Sequence, residues 1–175
     1  MMTTLHKVQA PRPGTYLLDP ATSSITFEAK HLFGLGKVTG TFGIESATIE
    51  VAAPPEKSSV RASVDARSFA SGSAMRDKQV RAKKFLNAEK FPAITFTSTA
   101  LHRVDGDWVL EGELTARGST QPVSLQVTES VPGEDSVTLV ATTRVDRYAH
   151  GITASRGMAG RHLDITLRVT ARAER

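Results

Sequence analysis

Apolar and polar residues alternate with a period of two in eight separate runs of this 175-residue chain, and nothing else in the sequence limits the fold as strongly. Ile25, Phe27 and Ala29 alternate with Thr26, Glu28 and Lys30; Val38, Gly40, Phe42 and Ile44 with Thr39, Thr41 and Gly43. The same pattern returns at Val60–Val64, Ile94–Ser98, Leu110–Leu114, Val123–Val127, Val137–Ala141 and Leu163–Val169. Side chains on a strand point alternately to its two faces, so each run presents one apolar and one polar side. That is the pattern of antiparallel strands with one wet face. Asp105-Gly106-Asp107 and Pro132-Gly133-Glu134-Asp135 supply tight tips between neighbouring runs. About eight such strands in succession predict an all-β, antiparallel, up-and-down sandwich or barrel.

One segment departs from the pattern. From Ser73 to Leu86, Met75, Gln79, Ala82 and Leu86 recur at helical spacing. Ser73 can act as N-cap, and Asp77 lies early enough to favour the helix dipole. Pro92 bars continuation into the next ladder. One short α-helix is therefore expected, crossing the barrel between the fourth and fifth strands. Residues 1–14, punctuated by Pro11, Pro13 and Gly14, read as a flexible lead, and residues 15–175 as one domain.

Composition narrows the function classes. The chain has no cysteine, which excludes disulfides, thiolate metal sites and cysteine nucleophiles. His6, His102, His150 and His162 lack metal-ligand spacing, so no metal site is expected. No stretch approaches the ~18 apolar residues of a spanning helix, and the N-terminus carries no apolar run long enough for a signal-peptide core. The expectation is a soluble, cytoplasmic protein. The net charge of +4 and pI near 9.6 favour anionic partners such as phosphates or lipid head groups. No aromatic–basic interleaving suggests nucleic-acid binding.

The stretch Gly112-Glu113-Leu114-Thr115-Ala116-Arg117-Gly118-Ser119-Thr120-Gln121-Pro122-Val123 reads as a strand, a polar tip and a second strand. Pro122 cannot donate to a ladder, which places it at an edge or a bulge. This stretch resembles the L-T-x-R-G-x-T-x-P-V signature of the YceI-like family. Further matches follow in order: Asp19-Pro20 with Ser23-Ser24-Ile25-Thr26-Phe27 and His31; Gly40-Thr41-Phe42; Val60 to Ala66 with Ser68; Arg76-Asp77, Phe85 and Phe91-Pro92-Ala93-Ile94-Thr95-Phe96 with Ser98; and Arg147 with Gly151-Ile152. The family's frequent double Phe is Phe85-Leu86 here. The resemblance implies a lipocalin-like β-barrel that binds an isoprenoid lipid without catalysis, for storage, transport or stress protection. The implied ligand is an isoprenoid quinone or a polyprenyl lipid, with no cofactor required; a homodimer is compatible with the family.

Phe27, Phe42 and Phe96 fall on apolar strand faces, Phe85 and Phe91 flank the helix exit, and Leu110 and Leu114 share an inward face. These residues either fill an ordinary core or line an apolar tunnel. His31, inward at a strand end, is either a core histidine or a contact to a bound head group. Arg76, Lys78, Arg81, Lys83 and Lys84 form a solvated helix face or touch a membrane surface transiently. Arg76-Asp77 is expected to form an ion pair or to anchor the helix to the barrel. An interaction module with a filled core is the alternative to lipid binding. A lipid-modifying enzyme is a third reading, against which the near absence of Asp and Glu on the inward faces counts.

Overall fold

The computed structural model describes residues 8–31 and 34–175. Among these, the strands are β1 (Gly14–Leu18), β2 (Ser24–His31), β3 (Gly36–Val51), β4 (Ser59–Ala70), β5 (Ala93–Val104), β6 (Asp107–Ala116), β7 (Ser119–Pro132), β8 (Ser136–Asp146) and β9 (Ala159–Ala173), with a helix α1 (Ala74–Arg81) between β4 and β5. Each of β2 to β9 pairs antiparallel with its sequence neighbour, and β2 also pairs with β9. The eight long strands thus close into an up-and-down barrel. The short β1 pairs with both β3 and β9 and fills the seam beyond the start of β2. Successive connections fall at opposite ends. The links 31–36, 70–93, 116–119 and 146–159 share the helix end, and 18–24, 51–59, 104–107 and 132–136 share the other.

The turns are set by local chemistry. Asp105 and Gly106 have φ of 52° and 87°, and Arg117 and Gly118 have 51° and 73°. Two consecutive left-handed residues make the type I′ tip whose twist matches antiparallel strands. Ala116 and Ser119 close the second tip as a hydrogen-bonded pair. Thr115/Thr120 and Glu113/Pro122 are therefore pairs of the non-hydrogen-bonded kind, with side chains close together. The Thr115 and Thr120 hydroxyls accordingly meet at 2.7 Å, and the Pro122 nitrogen faces away from β6, toward β8.

The helix is shorter than its spacing predicts. Ser73 caps it by accepting from the Arg76 amide, but it ends at Arg81. Beyond it the chain coils so that the Leu86 amide donates to the Val80 carbonyl and the Ala88 amide to that of Arg81. Asn87, at φ 48°, completes the reversal. This puts Leu86 and Ala88 under the barrel end, a larger apolar gain than one more exposed helical turn. Met75 is 75% exposed, so the expected apolar stripe is not the buried face. The buried helical residue is Asp77, which accepts from the Ser71 amide and hydroxyl at 2.9 and 2.6 Å. Of the two roles expected for Arg76-Asp77, anchoring is the one observed. In the lead, the Gln9 amide donates to the Ser130 carbonyl and the Ser130 hydroxyl returns a bond to the Gln9 carbonyl. That pairing ties residues 8 and 9 to β7, where the sequence suggested only flexibility.

Two compact clusters pack the ends of the barrel. Phe27, Ala66, Phe69, Leu86, Ala88 and Ile152 gather toward the helix end; Tyr16, Ile49, Val137 and Ala171 close the other. Phe27, Phe42 and Phe69 meet with ring centroids 5.0–5.8 Å apart. Inward residues between the clusters, among them Phe96, Leu110, Leu114, Val123, Leu125 and Leu167, are only partly buried. A filled interior would bury them below a few per cent, as at Val137. The middle of this barrel is therefore less tightly packed than its ends.

Gly40 lies opposite Phe27, and a Cβ there would come within 2.5 Å of the Phe27 ring and 2.3 Å of the Ala70 carbonyl oxygen. Gly40→Ala should destabilise the barrel by about 1–3 kcal/mol, since both neighbours are held in place. Chemical denaturation should show a lower midpoint at unchanged slope.

Candidate functional site

A cavity of about 290 Å³ opens at the helix end. Strand alternation aims Phe27, Val38, Phe42 and Leu163 into it, and α1 with the coil behind it supplies Val80, Phe85 and Leu86 as one wall. Its polar lining includes His31, Arg76, Gln79, Arg147 and Ser155, and no Asp or Glu among the described residues lines it. The result is an apolar hollow with hydrogen-bond donors at one mouth, suited to a long apolar molecule carrying one polar end.

Four of the residues singled out in the sequence, Phe27, His31, Phe42 and Phe85, line this cavity together. His31 is fixed by packing: its Nε2 lies 2.3 Å from where a Gly36 Cβ would stand, so the ring covers a glycine across the hairpin. Phe96, Leu110 and Leu114 face the interior and lie outside the cavity lining. Phe91 is a correction. Its ring packs under Gly118, with the Lys90 ammonium 5.4 Å from the centroid, so it supports the β6–β7 tip rather than the cavity. It follows the helix-end coil and lies just outside β5, where strand alternation does not aim it inward. Phe69, Arg147 and Ile152 also line the cavity. Arg147 and Ile152 belong to a motif visible in the sequence; Phe69 is hidden because β4 slips register against β3 near its end.

Arginines bonded to backbone carbonyls hold the mouth together. Arg147 is buried and donates to the carbonyls of Gly160, Ile152 and Ala159 at 2.7, 2.8 and 3.0 Å, while stacking on Phe85 and Tyr148. Burial pulls its guanidinium below the ordinary value. Arg117, the arginine of the hairpin signature, donates to the Lys83 carbonyl at 2.8 Å and the Gly151 carbonyl at 3.1 Å. It clasps the coil after α1 to the β8–β9 link. Arg81 donates to the Phe69 carbonyl at 2.6 Å. Asp146 accepts a fork from Arg161 at 2.8 and 2.9 Å and caps the 3-10 turn Arg147–His150 through the Tyr148 amide. The Arg161 bonds hold its carboxyl at about 2, against an ordinary 3.8.

The wall is not uniform. Pairing of β7 with β8 runs from Pro132/Val137 to Gln126/Thr142 and ends there, although β8 stays paired with β9 down to Asp146. Among the described residues, Ser119–Leu125 therefore form a sheet edge, which is where the sequence placed Pro122. Side chains bridge the gap: the Thr143 hydroxyl donates to the Ser124 carbonyl at 2.7 Å, and His150 Nδ1 lies 3.0 Å from the Ser119 carbonyl oxygen. A groove of about 660 Å³ lies at this region, lined by residues from Val104 to Thr166, among them Thr143 and the inward-facing Ile165.

A closed eight-stranded antiparallel barrel with an apolar interior and one helix at its mouth defines a lipocalin-like protein. The sequence pattern of the YceI-like domain matches residues 16–171, and the chain belongs to that family. A UPF0312 protein of Shewanella baltica (strain OS185) is 34% identical over 161 residues, covering 87% of this chain and 84% of the relative. A UPF0312 protein of Shewanella oneidensis is 38% identical over 124 residues, covering 69% of this chain and 64% of the relative. The crystal structure of Burkholderia cenocepacia BcnA superposes with a TM-score of 0.79 at 22% identity, over 87% of this chain and 98% of that one. A polyisoprenoid binding domain from Saccharophagus degradans superposes at 0.71 and 13% identity, over 93% and 100%. These two likenesses establish the fold. No helix among the described residues is long and apolar enough to cross a membrane.

Two expectations follow. Arg117→Ala should lower stability by about 1–2 kcal/mol by leaving two carbonyls without a charged donor, measured by thermal unfolding. Because the Asp146 pKa is depressed on folding, its contribution is full above about pH 4 and is lost as pH falls through about 2. Hydrogen exchange of the Tyr148–Ile152 amides, corrected for intrinsic rates, should accelerate across that window, and Asp146→Asn should show the faster exchange already at neutral pH.

Proposed function

We propose that the protein holds one isoprenoid-type lipid, a quinone or a polyprenyl phosphate, with its chain in the barrel interior and its head at the mouth. The observation that carries this reading is that the inward apolar faces between the two end clusters are only partly buried, beside an apolar cavity at the helix end. Hydrophobic residues turned inward but not packed against one another leave a demand for apolar surface that an occupant would meet. Covering methyl-branched chain contributes on the order of 3 kcal/mol per isoprene unit and requires no hydrogen bonds. His31 and Arg76 supply polar groups at the end where a head group would rest. Membership of the YceI-like family and the fold shared with a polyisoprenoid binding domain support the same class of ligand.

The reading is of a binder rather than an enzyme. Among the described residues, the cavity lining holds a histidine and two arginines and offers no carboxylate as a second proton-transfer group. Storage, transport or protection of the lipid are the uses such a container allows. A module with a filled core accords poorly with the cavity and the partly buried interior.

Organic extraction of the purified protein followed by mass spectrometry tests the proposal. An isoprenoid lipid should be recovered in near-equimolar amount. Leu114→Trp with Leu125→Trp, which fills the interior without adding charge, should cut recovery about ten-fold while retaining the strand circular dichroism. A wild-type protein that carries no lipid and takes up neither quinones nor polyprenyl phosphates would refute it.

A further inference from the structure

We propose that the helix end of the barrel is a docking face for an anionic lipid bilayer. Up-and-down topology sends alternate connections to opposite ends, and this chain charges the two ends oppositely. The helix-end links display Lys78, Lys83, Lys84, Lys90 and Arg156 at the surface. Their acidic residues are Asp77, buried and bonded to Ser71, Glu89, and Asp146, which is paired with Arg161. The links at the other end carry Asp19, Glu56, Asp105, Glu134 and Asp135 with Lys57; Arg172 and Arg175 of the last strand and C-terminus pair with Asp19 and Asp135, and Glu56, Asp105 and Glu134 leave that end the more acidic. Such a molecule turns its helix end toward a negatively charged surface before contact.

Charge alone would suit any polyanion. Exposed apolar side chains on the same end select a bilayer. Leu35 at the β2–β3 tip is 90% exposed, Met75 at the start of α1 75%, and Met158 in the β8–β9 link 48%. They stand on three different connections around the cavity mouth, and Met158 also lines it. Apolar tips encircled by lysines match a membrane interface, where the tips enter the acyl boundary and the ammonium groups stay among the phosphates. Leu17, Val104 and Val131 are exposed toward the other end, at 42%, 46% and 53%, but they sit beside the acidic links, which an anionic surface repels. Docked in this way, the cavity mouth faces the bilayer and a lipid passes between membrane and barrel without crossing water. That consequence rests on the proposed lipid-holding function; the docking itself does not.

Co-sedimentation of the full chain with vesicles tests it. Vesicles of equal parts phosphatidylglycerol and phosphatidylcholine should bind the protein, phosphatidylcholine alone should not, and added salt should weaken binding. Lys78→Glu, Lys83→Glu and Lys84→Glu together should weaken it roughly ten-fold or more. Leu35→Asp with Met75→Asp should weaken it several-fold, and Glu134→Lys with Asp135→Lys should not weaken it. None of these residues lines the cavity, so all variants should take up lipid presented in detergent as the wild type does. Absence of vesicle binding, or binding unaffected by the lysine reversals, overturns the proposal. So does vesicle binding indifferent to Leu35→Asp and Met75→Asp and matched by duplex DNA, which would mark a general polyanion patch. A lipid-loaded protein that fails to dock overturns docking alone; a lipid-free protein that docks overturns the holding function alone.

Discussion

The pairing of β2 with β9 is the constraint on which the other features of this molecule depend. It joins the first long strand to the last, removes two sheet edges, and gives the alternating runs an inside and an outside. Phe27 shows how tightly that closure is specified. It lies opposite Gly40 on one neighbour and Ile165 on the other, and its ring occupies the space that Gly40 leaves free. A slip of one residue in either pairing would turn Phe27 outward and bring Thr26 or Glu28 inside. Closure also divides the connections between two ends, so a cavity at one mouth and a compact plug at the other follow from the same seam.

Packing is uneven along the barrel axis. The end clusters contain the most buried residues, with the cavity let into the one at the helix end, whereas the interior between them is lined by partly buried side chains. The mouth is fastened by guanidinium groups on backbone carbonyls at Arg81, Arg117 and Arg147, bonds that do not titrate in the physiological range. A rim held in this manner needs no apolar side chains from the interior, and the cavity stays open.

Much of this was legible in the sequence because period-two alternation and turn chemistry act locally. The all-β class, the runs from Ile25 to Val169, the cap at Ser73 and the edge at Pro122 each depend on a few neighbouring residues. The candidate site was legible where alternation sets direction, as at Phe27 and Phe42. It was not legible where direction depends on distant chain. Phe91 faces the β6–β7 tip because Gly118 leaves room for it, and Met75 is exposed because α1 is anchored through Asp77 on the adjacent turn. Arg117 reads as turn chemistry until Lys83 and Gly151 are seen on either side of it. Register slips in β3–β4 and β7–β8 likewise have no sequence mark that period-two reading detects.

The early end of β7–β8 pairing has a consequence for how this protein lives among copies of itself. An open strand edge is a template onto which another chain can add, the usual route to sheet aggregation. Along Ser119–Leu125 the groups that point toward β8 belong to Thr120, Pro122 and Ser124. Pro122 brings no N–H to that side, and the Ser124 carbonyl is occupied by Thr143. A barrel left partly unzipped is thereby denied the regular row of donors and acceptors that an invading strand would need, and its wall can part without becoming adhesive.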